Sequence, residues 1–255
     1  MSLEETPPVD VVMATFNSSH HLEQVLRAVH QFVPVRRLIV VDRFSDDGSA
    51  EIARGHHAEV FQEDSGVGGA YLTALRRVKT DLVLFVDSDV VIQRPDFYPI
   101  ALRLLDRPRT AAVVGQAIGH PFLYGLPLSL TLVRHDWALK AGMSLNAQGQ
   151  ETMAFRRAVR RDRMRVQSVP DAMVHHSVYR QAPNWPEWQG AQTRLQAGLD
   201  PRELVYSFMV ILLMHMNSRR PRHIAYTPVF YLKFLRGYFS PDPWREMDRR
   251  RMSLT

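Results

Sequence analysis

The stretch LVLFVDSDVVI at residues 82–92 is the strongest indication of the fold. Five apolar residues lead into Asp87, and a second carboxylate, Asp89, follows two positions later. A buried strand that ends in this way presents two hard oxygen ligands at one edge of a sheet, and Mg²⁺ and Mn²⁺ prefer such ligands. These ions commonly complete their coordination with phosphate oxygens and water. The stretch therefore predicts a metal–diphosphate site and a nucleotide-activated substrate.

Apolar runs and helical patterns alternate on the N-terminal side of this stretch. Strands are predicted at residues 9–14, 37–42 and 58–61, and helices at residues 20–32, 49–54 and 66–78. Strands that alternate with helices indicate an α/β fold, with a mostly parallel sheet and helices on both faces. Ligands bind beyond the carboxyl ends of the strands in such sheets. Asp42 and Asp87 each end a predicted strand, so we expect both at one rim.

Two apolar segments lie near the carboxyl end of the chain. Residues 204–216 form an apolar run that is shorter than the roughly 20 residues that a membrane-spanning helix needs. Residues 226–239 mix aromatic side chains and leucines with Lys and Arg, a composition that suits a membrane interface. The alternative is a pair of core helices or an oligomer interface. We predict a first domain at residues 1–200 and a helical, apolar and basic extension at residues 201–255.

Composition and charge restrict the partners and the compartment. The 255 residues include no cysteine, which excludes disulfides, zinc thiolates and thiol chemistry and fits a cytoplasmic protein. The amino terminus lacks the pattern of a signal peptide. Residues 1–100 hold 9 Lys and Arg against 15 Asp and Glu, whereas residues 101–255 hold 23 against 11. A basic half indicates an anionic partner, or simply a solvated arginine-rich surface.

The order of several local patterns resembles glycosyltransferase family 2, the inverting nucleotide-sugar transferases with a GT-A fold. The stronger matches are VVMATFNS at 11–18, IVVDRFSDDGSAEIA at 39–53, GVGGAYLTALRRVKTD at 66–81 and LVLFVDSDV at 82–90. The looser matches are MAFRRAV at 153–159, PDAMVHH at 170–176 and QTRLQAG at 192–198. The resemblance covers roughly residues 9–200. It implies a GT-A, Rossmann-like fold and a nucleoside-diphosphate sugar donor, with a UDP-sugar favoured.

The resemblance also implies roles for residues of the first two strand ends. Thr15, Asn17 and Asp42 would hold the nucleoside of the donor. A structural alternative for Asp42 is an acid that closes a turn or caps a helix. The family commonly has two adjacent acids at this place, whereas Arg43 follows Asp42 here.

The glycine-rich stretch at residues 66–69 stands where the family lines its donor site, which implies that Gly68 contacts the donor. The free N–H groups of the following helix can face a phosphate. The stretch does not match the dinucleotide-binding pattern GxGxxG/A, because Tyr71 occupies the last small position. A flexible loop before a helix is the structural alternative.

The metal site is the part that the resemblance defines best. Asp87 and Asp89 would bind Mg²⁺ or Mn²⁺ together with the donor diphosphate, with Asp89 as the direct ligand and Asp87 also near the donor. A histidine after a later short strand can complete the shell, and its position favours His176. Alternation along a strand puts His175 and His176 on opposite faces, so one of them could simply pack.

The catalytic base is the least defined part. An inverting transferase needs a carboxylate that takes the proton of the acceptor hydroxyl. The family usually supplies it from an acidic segment after the MAFRR-like piece, where this chain offers only Asp162 within a basic run. Glu151 is the second nominee, and Asp136 and Asp171 are weaker ones. A structural role remains an alternative for each.

The sequence thus predicts a metal-dependent inverting glycosyltransferase that acts on a hydroxyl acceptor, such as a lipid-linked or cell-envelope glycan. Leu195 replaces the tryptophan of the Gln-x-x-Arg-Trp pattern of processive members, which indicates non-processive transfer. A nucleotidyltransferase is disfavoured because the loop after the first strand has no glycine. The alternative function is a catalytically inactive nucleotide-sugar-binding sensor or scaffold.

We further predict no nucleic-acid partner and a cytoplasmic location. An anionic membrane surface is a candidate partner at the inner face of the membrane, and oligomerisation is left open. Binding that does not depend on Mn²⁺ but weakens strongly as the salt concentration rises would instead favour a nucleic-acid partner.

Overall fold

The structure is a computed structural model that describes residues 6–118, 128–143, 153–176, 185–217 and 221–241. The chain begins with β1 (Val9–Thr15), α1 (Ser19–Phe32), β2 (Val35–Asp42), α2 (Ser49–Gly55), β3 (Glu59–Gln62), α3 (Val67–Leu75) and β4 (Leu82–Val86). It continues with β5 (Val90–Ile92), α4 (Phe97–Leu105), β6 (Thr110–Ala117), β7 (Leu130–Arg134), α5 (His135–Ala141), α6 (Met153–Arg161) and β8 (Arg165–His175). The helices α7 (Trp185–Ala197), α8 (Pro201–Asn217) and α9 (Pro221–Tyr238) follow.

The strands form one sheet in the order β3-β2-β1-β4-β7-β6-β8-β5. The pairs β1–β2, β2–β3, β1–β4 and β6–β8 are parallel. Strand β7 runs antiparallel to β4 and β6, and β5 runs antiparallel to β8. The predicted α/β fold is confirmed, and the antiparallel β7 and β5 are additions that the sequence patterns did not indicate. The carboxyl ends of β1, β2 and β4 meet at one rim, as predicted.

Apolar layers cover both faces of the sheet. Val11 and Met13 of β1 pack in the layer that contains α1 and α4, whereas Val12 packs in the layer that contains α3 and α6. This alternation follows from the period of two residues along a strand. Helix α1 buries Leu22 and Val25 at helical spacing against the first layer. The predicted helices on both faces are therefore present.

Helices α8 and α9 form an antiparallel pair. The hydroxyl of Tyr231 donates to the carbonyl of Leu204 at 2.9 Å. Nearer the connection between the helices, His215 Nδ1 and Thr227 Oγ1 lie 2.8 Å apart. None of the helices in the described part of the chain is long and apolar enough to cross a membrane.

Helix α7 crosses α9 at very short range because glycines stand at the crossing. A Cβ atom on Gly237 would lie 1.8 Å from the backbone oxygen of Glu187, and one on Gly190 would lie 1.9 Å from the backbone oxygen of Phe234. Helix α7 is therefore part of the helical region near the carboxyl end. The division of the chain at residue 200 stays a prediction.

A buried ion pair joins this helical region to α6. Arg156 and Glu203 approach to 3.3 Å, with only 14% and 9% of their side chains exposed. The guanidinium of Arg156 also lies over the ring of Tyr206, 4.7 Å from its centroid. Because a buried charge needs a partner, the pair fixes α6 against α8.

Candidate functional site

The two acids of the Asp-x-Asp pair lie at the turn between β4 and β5. The backbone N–H of Asp87 donates to the carbonyl of Ser129 at 3.0 Å, and the N–H of Val90 donates to the carbonyl of Asp87 at 3.1 Å. These bonds hold the turn at the carboxyl end of β4, in the middle of the sheet. Asp87 and Asp89 are therefore at the rim where ligands bind in such sheets.

One histidine joins the two carboxylates. Ligand atoms of Asp87, Asp89 and His175 all lie within 4.8 Å of one another. His175 is opposite Val90 in the antiparallel pairing of β5 and β8, which brings its Nε2 to 3.1 Å from Asp89 Oδ1. Two carboxylates and an imidazole form a donor set that suits Mn²⁺ or Mg²⁺, so these residues fit a divalent cation.

The prediction that favoured His176 differs from this arrangement. The His176 ring stacks on His21 of α1, with 4.6 Å between the ring centroids, and its backbone N–H donates to the Asp89 carbonyl at 2.8 Å. Neighbouring strand residues point to opposite sides, so only one of the two histidines can face the carboxylates. The pairing with β5 places His175 on the side of the carboxylates.

The electrostatic environments of the two acids differ. Burial raises the pKa of Asp87, and the negative charge of Asp89 adds to this effect. Burial alone would also raise the pKa of Asp89, but the hydrogen bond and charge of His175 outweigh it and lower that pKa. The hydroxyl of Tyr71 donates to Asp87 Oδ1 and favours its ionised form. Tyr71, which broke the GxGxxG pattern, thus orients a predicted metal ligand.

The loops after β1 and β2 interlock beside the Asp-x-Asp turn. Asn17 adopts a left-handed backbone with φ of 46°, a conformation that asparagine tolerates, and its N–H donates to Ser45 Oγ at 3.0 Å. The Ser18 N–H donates to Ser49 Oγ at 2.9 Å. The Ser18 hydroxyl lies 2.8 Å from the hydroxyl of Ser88. The middle residue of the Asp-x-Asp turn is therefore tied to the first loop.

Asp47 stabilises this pair of loops. Its carboxylate accepts from the backbone N–H of Ser19 at 2.9 Å and from the N–H and hydroxyl of Ser49 at 3.0 and 2.5 Å. Burial alone would raise its pKa, but these hydrogen bonds lower the pKa to about 2. These bonds place the Asp47 carboxylate at the start of α2, whose first residue is Ser49.

Asp42 and Thr15 end neighbouring strands in register. Asp42 is fully buried, and its carboxylate accepts from the Ser45 N–H at 2.9 Å and from the Ser45 hydroxyl at 2.5 Å, so it closes a turn. Thr15 is 4% exposed, and its hydroxyl has no hydrogen-bond partner among the described residues. A buried hydroxyl of this kind at a ligand-binding rim can bind a polar group of a ligand.

Two aromatic side chains of the same loops are exposed to solvent. Phe16 follows Thr15 and is 46% exposed, and Phe44 is 58% exposed with a left-handed backbone at φ of 52°. The guanidinium of Arg43 lies 5.3 Å from the centre of the Phe16 ring. Exposed aromatic faces beside a cation are suited to a planar, anionic ligand.

The glycine-rich stretch places Gly68 inside the first turn of α3, where it is buried. The Glu63 carboxylate accepts from the Ser65 N–H at 2.7 Å and from the Thr73 hydroxyl at 3.0 Å. This carboxylate occupies the approach to the start of α3, and a negative charge there opposes a phosphate. Donor contact by Gly68 stays a prediction.

Of the two leading nominees for the catalytic base, the structure describes Asp162, which lies away from the rim. Asp162 precedes β8 and is separated from His175 by the length of that strand, which at 11 residues is roughly 35 Å. It is exposed, pairs with Arg161 at 2.7 Å and accepts from Trp137 at 3.2 Å. Its lowered pKa, caused mainly by Arg161, also disfavours proton uptake. Glu151 lies outside the described residues.

The structure describes both of the weaker nominees, Asp136 and Asp171. Asp136 opens α5 after β7, whose carboxyl end pairs with Leu82 at the start of β4 and so lies at the opposite rim. It forms an exposed ion pair with Lys140 at 3.7 Å. Asp171 lies in β8 with a left-handed backbone, in the irregular stretch between Val169 and Met173, which both pair with β6.

Comparison with known proteins agrees with this geometry. The model of glycosyl transferase family 2 matches residues 10–186, which is most of the chain, and the chain therefore belongs to that family. It is a glycosyltransferase with a GT-A fold. No match was found among the curated proteins.

Solved structures with the same fold include two glycosyltransferases. The mannosyltransferase PcManGT from Pyrobaculum calidifontis, in complex with GDP-Man and Mn²⁺, is 17% identical, with a TM-score of 0.66 over 100% of this chain and 82% of that chain. Glucosyl-3-phosphoglycerate synthase from Mycobacterium tuberculosis, in complex with Mn²⁺ and UDP-Glc, is 19% identical, with a TM-score of 0.59 over 78% of this chain and 82% of that chain.

Proposed function

We propose that this glycosyltransferase moves a sugar from a nucleoside-diphosphate donor to a hydroxyl acceptor, with inversion and with Mn²⁺ or Mg²⁺. The observation that carries the proposal is the group formed by Asp87, Asp89 and His175 at the strand-end rim, beside two interlocked loops. Bound there, the cation would supply Lewis-acid stabilisation of the charge on the departing diphosphate.

The residues of the chain have separate tasks in this proposal. Asp87, Asp89 and His175 hold the cation. Thr15, through its unpaired hydroxyl, and the exposed face of Phe16 hold the nucleoside. Asn17 and Asp42 fix the loops that position these two groups, through Ser45, rather than contact the base directly.

Transfer itself is a single displacement. The acceptor oxygen forms a bond to the anomeric carbon while the bond from that carbon to the diphosphate oxygen breaks, and the hydroxyl proton passes to a carboxylate. Glu151 remains our nominee for this base, whereas Asp162 is too far from the rim. Because Leu195 replaces the aromatic residue of processive members, one sugar is transferred per encounter.

The donor is tested first by thermal stabilisation. UDP-, GDP- and dTDP-sugars are screened with and without Mn²⁺, with UDP-sugars favoured and GDP-sugars as the alternative because PcManGT was solved with GDP-Man. A ligand at a hundred times its Kd stabilises a protein by about 2.7 kcal/mol, which is roughly 5–10 °C for a chain of this size. Asp89→Ala should abolish the Mn²⁺-dependent rise in Tm.

Asp106→Ala is the matched control, because Asp106 is 83% exposed at its side chain and forms an ion pair with the exposed Arg134, at 3.8 Å. It should leave the shift unchanged. No metal-dependent shift with any donor, or an equal shift in Asp89→Ala, would refute the donor site. Donor hydrolysis distinguishes an active transferase from an inactive sensor or scaffold. An active site transfers some sugar to water in the absence of acceptor, whereas an inactive one does not.

We also propose that the acceptor is a lipid-linked or cell-envelope glycan and that the protein acts in the cytoplasm at the inner membrane face. Support comes from the basic carboxyl-terminal part of the sequence and from the apolar side chains of α8 and α9, which lie at the surface. Transfer to detergent-solubilised polyprenyl-phosphate acceptors, compared with water-soluble glycosides, tests this choice.

A further inference from the structure

Large apolar side chains with high exposure are concentrated on the pair of helices α8 and α9. The outer face is defined here by the exposed residues Val205, Met209 and Met216 of α8 and Val229, Leu232 and Phe239 of α9. Val205 and Leu232 are 66% and 65% exposed. Contiguous exposed apolar side chains on a soluble surface indicate an interaction site.

The contacts of α8 show which way its apolar stripe points. Phe208 and Ile211 pack towards α9, and Glu203 faces α6 through its ion pair. Val205 and Met209 are four residues apart, so they share one side of the helix, and it is the side that neither neighbour covers.

The same argument applies to α9. Tyr231 faces α8, and Gly237 faces α7. Leu232 and Phe239 are seven residues apart and lie on the opposite side from Gly237. Since α8 and α9 are antiparallel and both stripes avoid α6 and α7, the stripes lie on the same side of the pair.

The charge around the outer face has one sign. Residues 204–241 contain five Lys and Arg and no Asp or Glu. Among the described residues of this segment the cations are Arg222, Lys233 and Arg236, and Arg236 lies next to Val229 and Leu232 on the helix surface. Lys and Arg beside apolar residues can bury their stems and keep their charges at an interface.

We propose that the outer face binds the surface of an anionic phospholipid bilayer, with α8 and α9 lying in the plane of the interface. Apolar residues with cations beside them match the acyl chains of a bilayer and its phosphate headgroups. A second copy of the chain is the less suitable occupant, because a self-contact would bring two acid-free, cationic surfaces together. The inference deepens the membrane location given under the proposed function and rests on it, but it does not depend on the donor site.

Vesicle flotation of the full chain tests the apolar part. Wild-type protein should float with vesicles of phosphatidylcholine that contain about 30% phosphatidylglycerol, and much less with pure phosphatidylcholine. Leu232→Glu should lower the ratio of vesicle-bound to free protein more than about tenfold, because it places a charge among the acyl chains. Leu139→Glu is the matched control, since Leu139 is 39% exposed on α5, away from the outer face, and should float like the wild type.

A second pair of variants tests the charges. Arg236→Gln should lower binding to the anionic vesicles by roughly fivefold. Arg36→Gln removes an equally exposed cation from β2 and should have no effect. Raising the salt concentration should weaken wild-type binding, because headgroup attraction is screened within a Debye length.

Three outcomes would overturn the inference. The first is equal flotation of Leu232→Glu and the wild type. The second is an equal loss in Leu139→Glu, which would indicate general hydrophobic adhesion. The third is a wild-type dimer that Leu232→Glu converts to a monomer with no vesicle binding in either, which would make a second copy the occupant. Leu232→Glu should keep the Mn²⁺-dependent rise in Tm that a nucleotide-sugar donor produces. Loss of vesicle binding in this variant is then distinguishable from failure of the donor site.

Discussion

Tyr71→Phe removes the hydroxyl that donates to Asp87 and leaves the ring in place. The ring packs edge-on against Phe85, with 5.3 Å between the centroids, and the residue is only 1% exposed. Phenylalanine should therefore keep the packing, and water cannot replace the lost donor. The Asp87 carboxylate, already disfavoured by burial and by the charge of Asp89, then loses a bond to its ionised form.

The expected size of the effect follows from the type of bond. A hydrogen bond to a charged group contributes about 1.5–3 kcal/mol, so Tm should fall by roughly 3–10 °C. Residues that orient a metal ligand typically change metal affinity by about 10–100-fold when they are removed. We expect the Mn²⁺ Kd to rise by about tenfold or more.

The assay is a titration of the metal-free protein with Mn²⁺, followed by the electron paramagnetic resonance signal of the free ion. Tyr98→Phe is the matched control, because Tyr98 is fully buried and its hydroxyl donates to the Pro7 carbonyl at 2.8 Å, before the start of β1. It should lower Tm without a change in Mn²⁺ affinity. An unchanged Kd in Tyr71→Phe, or the same rise in Tyr98→Phe, would refute the orienting role.

Three further predictions concern stability. Asp47→Asn should destabilise the protein by about 1–2 kcal/mol, after allowance for solvent screening. The pKa of Asp47 in the folded protein is about 2, below the ordinary 3.8, so the difference in unfolding free energy between wild type and variant should be complete at neutral pH. Urea titrations should show that this difference vanishes as the pH falls through 2. Gly237→Ala should cost about 1–3 kcal/mol or more in thermal unfolding, since its Cβ would meet backbone, whereas Gly55→Ala has no atom within 4 Å and should be neutral or stabilising. Arg156→Met should cost about 3–5 kcal/mol, and adding Glu203→Leu should recover most of it, because the buried carboxylate is then no longer unpaired.

Local patterns were sufficient to predict the elements from β1 to β4. Strand β4 was predicted with its observed bounds, and α1 began one residue earlier than predicted, because continuous apolar runs and helical spacing are short-range signals. Strands β5 and β7 were missed. Each depends on partners that are distant in sequence, since β5 has three residues and pairs only with β8, and β7 inserts antiparallel between β4 and β6.

The candidate site divides in the same way. Asp87 and Asp89 were identifiable because a buried strand that ends in two acids is a local pattern. The sequence favoured His176 without the register of β8 against β5, and that register is what places His175 beside Asp89. The hydrogen bond from Tyr71 to Asp87 could not be predicted from the sequence either, because it joins a helix to a strand end that come together only in the folded sheet.

The hydrogen bond between the Ser18 and Ser88 hydroxyls joins the loop after β1 to the turn that carries Asp87 and Asp89. If a nucleotide held by the loop and a cation held by the turn affect each other's binding through this contact, linkage requires the effect to be reciprocal. If Mn²⁺ tightens the binding of a nucleoside diphosphate by some factor, the nucleotide must tighten Mn²⁺ by the same factor. Cellular nucleotide-sugar concentration would then set how much of the enzyme carries its metal.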